Sequence, residues 1–191
     1  MVSSEEVFER IRQALAEYTP RKVDNPSAAP AAVLILIYER DGEPHVLFTE
    51  RTHKVEHHKG QISFPGGACD EGDDCLETTA LRETYEEIGV KPEDVTIIGQ
   101  LDEMVTISNF KVTPYVGILA TQSEHPFVLN KHEVERVVQV PLSFLLDERN
   151  MELEMREHQG REVLVPAFNY NGHRIWGATA RMLHQFVELL R

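Results

Sequence analysis

The stretch from Gly66 to Val90, GGACDEGDDCLETTALRETYEEIGV, decides how the rest of the chain is read. From about Asp74 to Ile88 the pattern is helical, and Gly89 stands where a helix closes on a residue free to take a positive φ, so a helix ending at Gly89 is predicted. On it Glu83, Glu86 and Glu87 fall at i, i+3 and i+4, which puts them on one face with neighbouring Cβ atoms about 5–6 Å apart. Carboxylates gathered this way repel one another and hold protons more tightly unless cations neutralise them. Mg2+ and Mn2+ take oxygen ligands, keep several waters and complete their shells with substrate phosphates, so the trio is a candidate site for either ion. Arg82, adjacent to the trio, can pair with a carboxylate and fix its rotamer. Taken alone, such a trio reads as the solvated face of a helix. The preceding Phe64-Pro65-Gly66-Gly67 changes that reading, because a turn without side chains lets backbone approach a ligand or metal closely.

Outward from this stretch the pattern is that of a layered fold. Val33–Glu39 and His45–Glu50, separated by an Asp41-Gly42 turn signal, read as a β-hairpin, and a polar, His-rich loop from Thr52 to Gln61 leads into the glycine turn. Val95–Leu101, Val112–Ala120, Val134–Val140 and Val163–Tyr170 read as further strands, with a short helix in PLSFLLD. Thr179 is placed to cap a last helix whose Met182, Leu183, Phe186, Val187 and Leu190 share a face. Ser3 and Glu6 form a capping box at the start of an amphipathic helix bearing Val7, Ile11, Leu15 and Tyr18. That helix can cover its own sheet or serve as the contact of a homodimer. Mixed strands with helices on both sides argue an α/β layer fold. The expected division is an N-terminal helix and loop over residues 1–30 and a single domain over residues 31–191.

Composition narrows the function classes. The 191 residues are 41% hydrophobic and 27% charged, which excludes collagen-like and disordered chains. A formal net charge of −13 repels polyphosphate backbones, so nucleic acid is not an expected partner. The longest mostly apolar stretch, Ala28 to Tyr38, is far short of the ~20 residues that span a bilayer, so no membrane association is expected. Glu5, Glu6 and Glu9 argue against a secretory or transit leader. Two cysteines are too few for a disulfide framework, which points to a reducing cytoplasm.

At Gly67, Asp73 or Asp74, Arg82, Glu83, Glu86, Glu87, Gly89 and Val90 the chain resembles the Nudix hydrolase family, whose box reads G-x5-E-x7-R-E-U-x-E-E-x-G-U, with U bulky and apolar. It departs in having Asp for the first Glu, eight residues instead of seven between Asp73 and Arg82, and Thr84 at the first U position. Upstream, Arg51, His58, Gly60, Gln61 and Phe64–Gly67 are similar to the motif R-S-x-x-L-x-x-H-x-G-Q-x-x-F-P-G-G of the coenzyme A diphosphatases of that family, with Thr52 and Val55 as conservative changes. Later segments extend the resemblance over most of Val33 to Arg191.

The resemblance implies an α/β/α sandwich with a mixed central β-sheet, and metal-dependent hydrolysis of the diphosphate bond of coenzyme A or acyl-CoA. Glu83, Glu86, Glu87 and the Gly67 carbonyl would hold metal, Arg82 would orient the carboxylates, and Arg51, His58, Gln61 and Phe64 would meet the substrate. Arg51 suits a diphosphate because a planar guanidinium matches two phosphate oxygens. Glu133, just before a predicted strand, is a candidate metal ligand or the base that orients the attacking water. Trp176 reads as core. ADP-ribose or another nucleoside diphosphate derivative is the alternative substrate, and a non-catalytic nucleotide-binding module the alternative function.

Overall fold

Leu34, Ile35, Leu36 and Ile37 are all fully buried, so the strand they form has protein against both faces. This strand, β1 (Ala29–Arg40), is the centre of the molecule, and the computed structural model describes residues 3–52, 60–120, 127–158 and 160–191 around it. Asp41 and Gly42 take φ of 54° and 77°, the left-handed pair that a tight hairpin requires, and return the chain as β2 (Glu43–Arg51), antiparallel to β1 with Leu36 opposite Leu47. On the other edge β7 (Phe110–Leu119) runs parallel to β1. β5 (Val95–Gln100) and β6 (Met104–Val105) pair with β7, while β3 (Ile62–Ser63) and β8 (Val134–Pro141) pair with β2. The sheet is mixed, as expected.

One irregularity of this sheet positions the site. β1 pairs with β2 from Leu36 onward, but its earlier half pairs with β4 (Gly66–Ala68), with Val33 opposite Gly66. Between them Leu34 N–H donates to the Pro65 carbonyl at 2.9 Å. Phe64 and Pro65 thus carry the chain across a gap in which β1 changes partner. Gly66 fits only as glycine there: its φ is +154°, and a Cβ would come within 2.3 Å of the Ala32 carbonyl oxygen.

The helices cover both faces. On one, α1 (Ser4–Glu17) packs Phe8, Ile11 and Leu15 with Ile35, Ile37, Phe48 and Val116, alongside Leu183, Phe186 and Val187 of α4 (Gly177–Leu190). The capping box between Ser3 and Glu6 is formed, and the apolar face of α1 lies against its own sheet. On the other face α2 (Leu76–Ile88) sets Ala80 and Ile88 against Leu34, Leu36 and Leu47. Each fully buried Leu or Ile side chain among these contributes roughly 1.5–3 kcal/mol of transfer free energy. α3 (Leu142–Leu146) follows β8, as its sequence suggests.

Three expectations are corrected. Thr179 does not cap α4: the N-cap is Trp176, and Thr179 is buried inside the first turn. Trp176 is not core, being 40% exposed. The segment after α3 is a second sheet, β9 (Met151–His158), β10 (Arg161–Tyr170) and β11 (His173–Ile175), of which only β10 was expected. Its outer part leaves Leu153, Met155 and Leu164 more than half exposed. Among the described residues no helix is long and apolar enough to cross a membrane.

Candidate active site

The acidic helix is α2, and it ends as expected: Gly89 takes φ 74° and its N–H donates to the Tyr85 carbonyl at 2.8 Å. Thr84, polar where an apolar residue is expected, is fully buried because its hydroxyl donates to the Ala80 carbonyl at 2.7 Å, so the helix satisfies it internally.

Glu83, Glu86 and Glu87 share one side of α2 but differ in surroundings. Glu86 is half exposed, Glu83 is mostly covered, and Glu87 is only 3% exposed. Oε2 of Glu87 is buried with no hydrogen-bond partner among the described residues. Burial pushes its carboxyl up to about 8, Glu83 and Glu133 add to the rise, and Arg51 with the Gly66 N–H opposes it. Burial also raises Glu83, with Glu86 and Glu133 adding and Arg82 opposing. Glu133, in the loop before β8, therefore lies within electrostatic reach of both. Gly67 completes the cradle: a Cβ there would lie 2.6 Å from the Glu83 carboxyl carbon, so any larger residue must displace that carboxylate.

Arg82 is the hub of the cluster. Its Nε and Nη2 each donate at 2.9 Å to the two oxygens of Asp73, its Nη1 reaches Glu83 at 2.8 Å and Glu86 at 3.3 Å, and its Nη2 also reaches the Ala68 carbonyl at 3.1 Å. A planar fork with five N–H groups can serve this many acceptors; an ammonium cannot. The choice between Asp73 and Asp74 is thereby resolved. The Asp73 side chain is 3% exposed and also accepts from Thr79 Oγ1 and Asp70 N, whereas Asp74 is exposed. The Arg82 hydrogen bonds, followed by the Asp70 N–H, hold the Asp73 carboxyl well below the usual carboxylate range. Asp73 thus sits behind Arg82 as its anchor.

Other expected residues divide. Arg51 lies against the cluster, close enough to bias Glu87, with its Nε buried and without a hydrogen-bond partner among the described residues. Gln61 is brought beside it, its carbonyl accepting from Arg51 N at 3.0 Å. Phe64 is a correction: it is 2% exposed and stacks on Phe48 at 4.8 Å within the core, so it supports the glycine turn from below and does not face a ligand. His58 lies outside the described residues.

Asn130, which the sequence did not single out, and Thr52, which it marked only as a conservative change in a motif, hold this arrangement. Asn130 N–H donates to the Glu87 carbonyl at 2.9 Å, at the end of α2 where helix carbonyls lack partners. Thr52, 1% exposed, donates from its backbone N–H to the Glu133 carbonyl and from Oγ1 to the His132 carbonyl, both at 2.9 Å. The available signal for Thr52 was its place directly after Arg51.

The residues can be tested for fit to a divalent cation. Among the described residues no three His, Cys, Asp or Glu side chains are drawn together closely enough to hold a metal ion as they stand. The reason is on view: Arg82 draws Glu83 and Glu86 to itself, and Glu87 faces inward. The chemistry of the set nonetheless fits a hard cation, since it offers oxygen donors, among them a buried carboxyl oxygen of Glu87 that has no hydrogen-bond partner among the described residues.

Comparison with known proteins agrees with this geometry. The NUDIX domain model matches residues 28–165. The chain is 36% identical over 192 residues to "Mitochondrial coenzyme A diphosphatase NUDT8" of Mus musculus, covering 98% of this chain and 89% of that protein. It is 37% identical over 158 residues to "Nudix hydrolase 15, mitochondrial" of Arabidopsis thaliana, covering 80% of this chain but only 55% of the longer plant protein. Among solved structures, a Nudix hydrolase from M. Smegmatis, RenU, superimposes with a TM-score of 0.51 at 24% identity over 63% of this chain and 74% of its own, a likeness of fold. Hydrolases of this kind act on small nucleotide derivatives with the help of divalent cations. With its acidic helix, its glycine turn and its matched length, the chain belongs to the Nudix hydrolase family.

Proposed function

We propose that this hydrolase cleaves the diphosphate bond of coenzyme A or an acyl-CoA, releasing 3′,5′-ADP and 4′-phosphopantetheine or its acyl form. The observation that carries the reading is the juxtaposition of the buried Glu87, whose Oε2 has no hydrogen-bond partner among the described residues, with Glu83, Glu133 and the Arg51 guanidinium. The choice of substrate is supported by the resemblance of Arg51–Gly67 to the coenzyme A diphosphatase motif and by the printed name of the mouse relative.

In this reading Glu83, Glu86, Glu87 and the Gly67 carbonyl hold Mg2+ or Mn2+. The chemistry such a cation supplies when bound is neutralisation of the diphosphate and acidification of a water. Arg82, anchored by Asp73 and the Ala68 carbonyl, keeps the carboxylates oriented. Arg51 binds diphosphate oxygens, which a chain of net charge −13 must otherwise repel. Glu133 accepts the proton of the attacking water as its oxygen bonds to phosphorus and the bridging P–O bond breaks. Catalysis is mostly positioning and charge compensation, as phosphoryl chemistry requires.

The test is a panel of coenzyme A, acyl-CoA and ADP-ribose, with Mg2+ or Mn2+, in heavy-oxygen water, read by product mass. Pantetheine phosphate and 3′,5′-ADP, one of them carrying a heavy oxygen, are expected. Cleavage of ADP-ribose alone would move the assignment to that substrate. Tight coenzyme A binding without any product would make the chain a nucleotide-binding module.

A further inference from the structure

Thr52 has one hydroxyl, and its partner lies far away in sequence. β2 and β8 pair as far as Arg51 and Val134, with a shift of register after Glu50. Just beyond, where the ladder ends, Thr52 continues it by one backbone bond to the Glu133 carbonyl, and its Oγ1 takes the next carbonyl, that of His132. A buried side chain has thus been placed where an ordinary ladder would fray. From the other direction, Asn130 ties the same turn to the end of α2 and closes it on itself: Glu133 N and Val134 N donate to the Asn130 carbonyl at 3.0 and 2.8 Å, and His132 N donates to its Oδ1 at 3.2 Å. The four-residue turn from Asn130 to Glu133 is held at both ends, and it carries Glu133, which lies within electrostatic reach of Glu83 and Glu87.

We infer that Thr52 is a positioning residue for the hydrolysis: through its hydroxyl it fixes the turn that carries Glu133, without itself touching substrate. The inference rests on the proposed role of Glu133. It explains why a hydroxyl follows Arg51 at a buried position. An apolar side chain of the same shape would fill the space equally well but would remove the donor to the His132 carbonyl and leave Thr52 joined to the turn by its backbone bond alone. Displacement of a reacting group by about 1 Å can cost as much as 100-fold in rate.

The experiment compares Thr52→Val and Thr52→Ser on the full chain with coenzyme A as substrate. T52V keeps the shape and removes the donor, and is expected to lower kcat by at least about tenfold with KM within about twofold of wild type. T52S keeps the donor and is expected to restore kcat to within about twofold. Equal kcat in T52V and wild type would overturn the inference, and so would T52S as impaired as T52V, which would make Thr52 a packing residue. Should T52V fold poorly, as read by its urea midpoint, Thr52→Ala takes its place in the same comparison with T52S. Glu133→Gln separates the two layers. Full turnover in E133Q overturns the Glu133 reading and with it this inference. Loss in E133Q beside an unaffected T52V overturns the Thr52 inference alone.

Discussion

Glu87→Gln should make the metal-free protein more stable while abolishing its turnover, and the size of the effect follows from the burial of that carboxylate. Glu87 is 3% exposed, its Oε2 has no hydrogen-bond partner among the described residues, and its carboxyl is pushed up from 4.5 to about 8. The sign follows from proton linkage. Below pH 4.5 the folded and unfolded chains both hold the proton and the full stability is present. Between 4.5 and about 8 the unfolded chain releases it and the folded chain does not, so stability falls as pH rises. At about 1.4 kcal/mol per pH unit the loss over that interval approaches about 5 kcal/mol. Glutamine carries no charge and escapes this cost, but its amide needs an acceptor and Arg51 loses a counter-charge, so a net gain of about 2–4 kcal/mol is expected at pH 9. The assay is urea unfolding of wild type and E87Q in a chelator at pH 5, 7 and 9. The two curves should nearly coincide at pH 5 and separate progressively above it, and Mn2+ should raise wild-type stability more than that of the variant. Parallel stabilities across the range, or E87Q the weaker at every pH, would refute the account of Glu87 as a buried charge awaiting a cation.

Gly67→Ala displaces the Glu83 carboxylate and should lower coenzyme A turnover by at least about tenfold, with the free energy of urea unfolding within about 1 kcal/mol of wild type because a flexible side-chain end can move aside. Arg82→Lys retains the charge but cannot serve Asp73, Glu83, Glu86 and the Ala68 carbonyl together; steady-state kinetics should show kcat reduced by about 100-fold with a smaller effect on KM. Glu86→Gln, at a half-exposed side chain, should abolish turnover and leave the free energy of urea unfolding within about 0.5 kcal/mol of wild type, separating the chemistry of this residue from any role in folding. Tyr38→Phe removes a buried hydroxyl without a partner among the described residues and should stabilise the protein by about 1 kcal/mol in thermal unfolding, with no change in kcat.

The parts of the molecule that local chemistry dictates were legible in the sequence. Asp41-Gly42 can form its turn with little help, Gly89 must end a helix because few other residues take its backbone angles cheaply, and the Ser3–Glu6 box forms within one turn. The helix carrying Glu83, Glu86 and Glu87 was visible because a 3.6-residue period needs only its own residues. What depends on distant partners was not. β9 reads as MELEMREH, whose alternation of Glu with apolar residues gives no core face because most of its surface stays outside the core, and β4 consists of two glycines and an alanine that make a strand only because β1 lies beside them. Phe64 fits a ligand-facing motif as well as a core position, and only the Phe48 ring decides. Asp73 could not be told from Asp74 until the guanidinium of Arg82 chose between them.

The tie between Asn130 and the last turn of α2 has a mechanical consequence. The helix that carries Glu83, Glu86 and Glu87 and the loop that carries Glu133 are joined by a main-chain rivet, with Val128 N–H to the Ile88 carbonyl as a second one beside it. The spacing between Glu133 and the end of α2 is therefore set through main chain, and not by the side chains of the acids, whose charges push them apart.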